Sequence, residues 1–363
     1  MIWIDIGTPK YAMFFSKMIP LLKERGHKLL VTTRHAPHYT EAKEILDLQN
    51  IEHEVLGEYG GQTLLDKFKS RILRQKEFLD LFEQVGVPKM LICGAVVDSV
   101  HVAYGLGIPV VNIYDTPSVT HPGDLKNPKN LTQVARLTLP YSTLFFYPYI
   151  FPREMFNNLT LNDEQLIPYD FIDVCIWMKD VVAQEKNDFR VRYGLDTSKP
   201  TVMIREEEYK AHYVQNKLPT LYNAIYKLKK ELNVNLVIMP RYEKESLKKD
   251  FGTFATVLED KLKPEEFYPF IDLFIGGGGT MNLESVYYGI PTISTRSIWL
   301  YHDQYLINNK LMYWTNDVDE VVSLSKKLLG KKYNNRKFFE KGECSFCKII
   351  DKIEKDILKG PKC

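Results

Sequence analysis

The chain has 363 residues, 45% hydrophobic and 26% charged, enough for two compact domains that each bury a core. Its 48 basic and 46 acidic residues leave a net charge of +2, so no overall field draws in nucleic acid or an anionic membrane, and anion recognition falls to local sites. "MIWIDIG" lacks a basic leader and no uncharged stretch reaches the roughly 20 residues that span a bilayer, which reads as a soluble cytoplasmic protein.

In chain order, β-rich runs at Ile2 to Ile6, Lys28 to Thr33, Glu52 to Leu56, Met90 to Cys93, Pro109 to Tyr114 and Ser142 to Phe146 predict strands. Between them "YAMFFSKMIPLLKERGH" and "LLDKFKSRILRQKEFLDLFEQVG" repeat apolar residues at three and four positions, one buried face of a helix, with Pro20 expected to bend the first. Such alternation predicts a parallel sheet with helices on both faces. The pattern lapses from about Pro148 to Lys199. It resumes with strands at 201–204, 234–240, 254–258, 273–275 and 291–294, a helix from Leu218 to Leu232, and a terminal amphipathic helix from Arg336 to Leu358. The expected architecture is α/β: two doubly wound domains, 1–165 and 166–363, with a cleft between them and the last helix packing back toward the N-terminal domain.

Ligands of open α/β sheets bind beyond the carboxyl ends of the strands, so the loops there carry the candidates. After the first strand, Gly7 and Thr8 turn into a helix start, where Lys10 and Tyr11 either contact substrate or shape the turn. Asp98 and Ser99 stand at a helix start and suit an N-cap. In "VVNIYDTPSVTHPGD", Asp115 is a candidate general base or a cap for the turn at Thr116 and Pro117, and His121 lies on the loop that follows. "LTLPYSTLFFYPYIFP", residues 137–152, reads either as a buried strand with its turns or as an exposed patch for a lipid or lipid-linked acceptor, with the protein peripheral at a membrane.

Farther on, Arg205 follows a strand and is placed to pair with phosphate oxygens, or with the three glutamates beside it. His212 is a ligand donor or a surface residue. In "GGGGTMNLES" a strand ends at four glycines and a helix begins near Thr280, whose hydroxyl can cap it; backbone N–H groups and the helix dipole then face a diphosphate. Glu284, one turn on, leans back toward a hydroxyl-bearing group such as a ribose. The alternative is a tight packing loop with a solvated Glu. Cys344 and Cys347 form one C-x-x-C among five cysteines; with no second pair at ligand spacing, no metal and no cofactor is expected.

These motifs together resemble the GT-B superfamily of glycosyltransferases and UDP-N-acetylglucosamine 2-epimerases, and more closely the DUF354 family. The resemblance is carried by "IWIDIGTPKYAMFFSKMIPLLKERGHKLLVTTR", "GIPVVNIYDTP", "VMIREEEYKAHY" and "GGGGTMNLESVYYGIPTIS", in that order. It implies two Rossmann-like domains, with nucleotide diphosphate on Gly277, Gly278, Gly279 and Thr280, ribose on Glu284, and an acceptor near Gly7 to Tyr11 and Asp115. The chain departs from the epimerases at Gly94-Ala95, where they carry an Asp after the glycine, at "NIYDTPSV" and "NPKNLTQVAR", and at Arg205, which lacks a preceding His. Elimination and re-addition need several placed acid-base groups. The expectation is therefore a metal-independent nucleotide-sugar glycosyltransferase, with Asp115 as base and Arg205 on the departing diphosphate. No Asp-x-Asp motif is read in a strand-end loop. A 2-epimerase-like enzyme and a non-catalytic nucleotide-sugar binder are the alternatives. Sugar, base, acceptor and oligomeric state are not encoded in these motifs.

Overall fold

The computed structural model describes residues 1–36, 40–58, 60–61, 63–120, 131–207, 218–241 and 244–358. The chain divides into two compact units: the first is Met1–Ser118, Pro128–Trp177 and Gly342–Cys363, the second Val119–Asn127 and Met178–Lys341.

The first unit is built on seven strands: β1 (Ile2–Ile6), β2 (Leu29–Thr33), β3 (Glu54–Val55), β4 (Met90–Cys93), β5 (Val110–Ile113), β6 (Leu144–Pro148) and β7 (Leu166–Tyr169). They lie in the order β3-β2-β1-β4-β5-β6-β7, and every pairing is parallel, with Ile4 opposite both Val31 and Ile92. Strands buried on both faces read as near-continuous apolar runs, as β4 does and as β1 does apart from Asp5. The order reverses between β1 and β4, where the loops of an open sheet splay apart to admit a ligand.

Helices α1 (Pro9–Glu24), α2 (Glu41–Leu48), α3 (Leu64–Val85) and α4 (Val97–Gly105) connect these strands, and α1 runs unbroken through Pro20. Trp3 holds α3 to the sheet with edge-on contacts to Phe78 and Phe82 at 4.6 and 5.0 Å. Beside them the fully buried Arg74 binds Asp5 at 2.6 Å and Asp98 at 3.3 Å. Asp98 is thus an ion-pair partner rather than the expected N-cap, which is Val96. Burying a guanidinium requires such partners.

The second unit repeats the plan with β8 (Thr201–Arg205), β9 (Asn235–Met239), β10 (Thr256–Val257), β11 (Leu273–Gly276), β12 (Thr292–Ser294) and β13 (Tyr313–Trp314). Their order is β10-β9-β8-β11-β12-β13, all parallel, with the reversal between β8 and β11. Helices α5 (Thr220–Glu231) and α6 (Gly279–Tyr288) connect strands of this sheet, and α7 (Val318–Leu328) follows its last strand. Val202, Ile204, Ile225, Leu228, Leu273 and Ile275 lie in its core. Both units are thus doubly wound α/β, and the chain has the GT-B fold.

Two expectations change and one open alternative is decided. Residues 166–169 form β7 and the first unit runs to Trp177, so the chain does not cross near residue 165. Pro168 hid this strand; proline removes a ladder donor and is tolerated at a sheet edge, where β7 lies. The expected terminal helix is one 3₁₀ turn at Arg336–Phe338 and then α8 (Cys347–Ile353), which continues as a wider turn over Glu354–Leu358. Gly342 interrupts it, and a Cβ there would stand 3.1 Å from Asp170 Oδ2. Finally, residues 144–148 are a wholly buried strand, with Phe151 and Phe156 also buried, so 137–152 is no exposed lipid patch. Among the described residues no helix is long and apolar enough to cross a membrane.

Candidate functional site

In the first unit, the loop after β1 and the loop after β5 converge on one buried cluster. Thr8 caps α1, accepting from Tyr11 N at 3.4 Å, and so sets Lys10 and Tyr11 on the first turn. Lys10 Nζ stands 2.8 Å from Asp115 Oδ1 and also pairs with Asp173. The Tyr11 phenol donates to Asp115 Oδ1 at 3.4 Å and Tyr169 donates to Asp173. Asp115 also accepts from the Thr116 hydroxyl at 2.9 Å. Its turn-capping and its place in the cluster coexist.

Two carboxylates therefore share one ammonium out of bulk water. Burial pushes the Asp173 carboxyl up to about 6, against the pull of Lys10 and with the charge of Asp115 adding to the rise. Burial opposes the Lys10 charge, yet Asp115 and Asp173 hold its pKa above the usual lysine value. Burial and the same two carboxylates push Tyr11 well up, so it stays a phenol and a donor. An acid that titrates near neutrality beside a fixed cation is suited to moving a proton.

Gly94 permits this arrangement, because a Cβ there would fall inside the Tyr11 ring. The next residue, Ala95, sits at φ +56, a left-handed conformation costly for alanine, with its N–H held by Asn112 Oδ1 at 3.2 Å. Gly7 backs onto Val96, and its carbonyl accepts from Arg34 at 3.2 Å. Sequence reasoning missed Asp173. The signal was an acid inside the apolar run "FIDVCIWM", which folding buries only with a partner.

In the second unit the reversal of strand order brings the loops after β8 and β11 together, and Gly277 N donates to Arg205 O at 3.0 Å. Most of the glycines answer to packing. A Cβ on Gly276 would collide with Asn282 and Phe274; one on Gly277 would lie 2.7 Å from the Glu207 backbone; one on Gly279 would lie 3.0 Å from the Arg296 guanidinium. At Gly278 the nearest atom would be Arg205 Cγ at 3.9 Å, so its open side alone faces ordinary contact distance. Gly278 is also the N-cap of α6, with no side-chain cap. Thr280 is the second helical residue and does not cap, which corrects that expectation. Among the described residues no side chain caps this helix start, which leaves its first-turn N–H groups and the helix dipole to face an anion.

Around this helix start the polar groups are mostly engaged. Arg205 is the last residue of β8, and it donates to Met239 O at 3.3 Å and to Pro240 O. Glu206 accepts from Tyr222 at 2.6 Å and Glu207 from Ser297 Oγ at 2.7 Å. Arg296 pairs with Asp303 at 2.7 Å. Glu284 is buried rather than solvated and accepts from Tyr268 at 2.6 Å. Asn282 is wholly buried in the first turn, and its amide makes no hydrogen bond among the described residues. Its period-breaking polar side chain in "TMNLES" was the sequence signal.

His121 and His212 lie outside the described residues. Asp317-Val318-Asp319 does follow a strand, β13, which is too short at two residues to be read from sequence. Asp317 caps α7, accepting from Glu320 N at 2.8 Å, while Asp319 pairs with Lys227. Cys344 is buried and Cys347 half-buried, and neither forms a disulfide among the described residues.

A family model described as protein of unknown function (DUF354) matches residues 1–357. An uncharacterized protein, MJ0665, of Methanocaldococcus jannaschii is 26% identical over 346 residues, covering 91% of this chain and 92% of that protein. Among solved structures, the UDP-GlcNAc 2-epimerase of Neisseria meningitidis bound to UDP-GlcNAc is similar at a TM-score of 0.69 and 14% identity, covering 90% of each chain. The spinosyn rhamnosyltransferase SpnG complexed with spinosyn aglycone is similar at 0.57 and 15% identity, covering 91% of this chain and 92% of that one.

Proposed function

The chain belongs to the DUF354 family, and from that premise we propose that it is a nucleotide-sugar-dependent glycosyltransferase whose second unit takes the nucleoside diphosphate end of the donor. The observation that carries this reading is the start of α6: an N-cap without a side chain, at the reversal of strand order, with one glycine open on its outer side. The diphosphate accepts from the first-turn N–H groups and from Arg205, Glu284 holds a ribose hydroxyl, and the Asn282 amide hydrogen-bonds the ligand. Gly277 and Gly279 contribute by letting Glu207 and Arg296 pack close.

In transfer, the acceptor hydroxyl attacks the anomeric carbon, the bond from that carbon to the diphosphate breaks, and the hydroxyl proton passes to Asp115. Lys10 pairs with Asp115 and positions it for this step, and the helix end with Arg205 takes up the charge of the leaving diphosphate without calling on a metal ion. The acceptor binds near Gly7 to Tyr11. Its chemistry is open, a lipid-linked one included.

A specific observation favours a second reading, 2-epimerisation. Asp173 supplies beside Asp115 a second acid-base group that the motifs had not offered, and elimination with re-addition needs more than one. Incubation with a panel of nucleotide sugars in deuterium oxide separates the two by NMR. Transfer, or slow donor hydrolysis without acceptor, releases nucleoside diphosphate and leaves the sugar C2 unlabelled. Deuterium at C2 would replace transfer by epimerisation. Binding without turnover of any donor would leave a nucleotide-sugar binder and remove the catalytic reading.

A further inference from the structure

α3 meets its own unit along one line only, with Arg74, Phe78 and Phe82 its buried side chains. Toward its N-terminus, ahead of these, Leu64, Leu65, Phe68, Ile72 and Leu73 are 67, 61, 53, 52 and 63% exposed. Residues 64, 68 and 72 follow at four-residue spacing, so they form one stripe along about 12 Å of helix. Large apolar side chains exposed singly are ordinary; five within ten residues on one helix are a surface built for contact.

The charge is arranged along the same helix. Residues 64–76 hold Lys67, Lys69, Arg71, Arg74 and Lys76 against Asp66 alone, whereas 77–85 hold Glu77, Asp80 and Glu83 and no base. Arg74 is spent internally on Asp5 and Asp98, and Lys76 pairs with Asp80 at 2.6 Å. Lys69 is exposed, and the Arg71 guanidinium lies 5.6 Å from the Phe68 ring while reaching toward Asp98 at 3.7 Å. The apolar stripe thus coincides with the basic half of the helix. That pairing of Leu, Ile and Phe with flanking lysine and arginine fits an interface where acyl chains lie beneath anionic headgroups.

We propose that the outward face of the first half of α3 docks on an anionic lipid bilayer. The near-zero net charge of the chain does not oppose this, because attraction at a membrane falls off within a Debye length and is decided locally. The proposal does not depend on the reaction, since it is read without any nucleotide sugar.

The test is co-sedimentation of the full chain with vesicles of phosphatidylcholine alone and of phosphatidylcholine mixed with phosphatidylglycerol. Binding to the mixed vesicles is expected, weakened by salt and by Lys69→Glu. Phe68→Gln with Ile72→Gln should lower it by at least about tenfold, with unfolding temperature unchanged because both side chains face outward. No binding to the mixed vesicles, or binding indifferent to both variants, would overturn the proposal. A concentration-dependent dimer that the double variant dissociates would also overturn it, by assigning the face to a second copy of this chain.

Discussion

In the proposed reaction catalysis turns on Asp115, Lys10 and Asp173, and their roles separate by substitution. Asp115→Asn is expected to lower turnover by about 100-fold or more while nucleotide affinity holds, as loss of a general base does; unchanged turnover would remove Asp115 from the mechanism. Burial disfavours the charge of Asp173 and pushes its carboxyl up to about 6 from the ordinary 3.8. The native state therefore holds the proton more tightly than the unfolded chain. Its contribution to stability is full below about 3.8 and is lost as pH rises through about 6. Asp173→Asn should flatten the stability profile in that window and shift any limb of the rate profile near pH 6. A profile identical to wild type in both would show that Asp173 does not titrate there. Gly277→Ala should cost about 1–3 kcal/mol, since its Cβ meets Glu207 backbone that cannot give way. Gly278→Ala should cost less than about 1 kcal/mol and instead weaken nucleotide binding, because it fills the one open side of the loop. Thermal unfolding beside titration distinguishes packing glycine from ligand glycine, and equal effects at both positions would contradict the assignment.

The last helix shows how an element late in the chain completes an early unit. Phe346, at its start, packs edge-on against Phe14 at 4.8 Å and lies 6.3 Å from Phe171, while Arg25 pairs with Asp351 at 2.6 Å. Phe346→Ala should destabilise by about 3–5 kcal/mol, the range for emptying a buried aromatic site, whereas Asp351→Ala, an exposed partner, should cost less than about 1 kcal/mol. Equal losses in denaturant unfolding would contradict the packing described. The longer strands were legible in the sequence because a sheet covered on both faces needs near-continuous apolar runs, as at Ile2–Ile6, broken only by Asp5, and in Asn235–Met239 after Asn235. β7 was not, since the exposed Pro168 breaks the run, and neither was β13, two residues long. The helical pattern at 336–358 overran its true start because apolar spacing continues across Gly342 and only the contact with Asp170 shows why the chain turns.

Both units of the molecule repeat one plan, and their strand-order reversals place the two clusters on which the account rests. Lys10, Tyr11 and Asp115 were legible because each follows a strand or opens a helix. Asp173, Asn282 and Tyr268 were not: a polar residue in an apolar stretch marks the first two, but Asp173 and Tyr268 take their importance from partners 163 and 16 residues away, and Asn282 from an amide that makes no hydrogen bond among the described residues. Four consecutive glycines pointed correctly to a close approach, but for three of them what approaches is the protein itself. The central claim is that the start of α6 holds a nucleoside diphosphate. Its most direct test is calorimetric titration of the purified chain with a panel of nucleoside diphosphates and their sugar conjugates. The account expects saturable binding of at least one, weakened by Glu284→Ala and by Gly278→Ala and retained in Asp115→Asn. Absence of binding by every member of the panel, or binding untouched by both α6 substitutions, would contradict it.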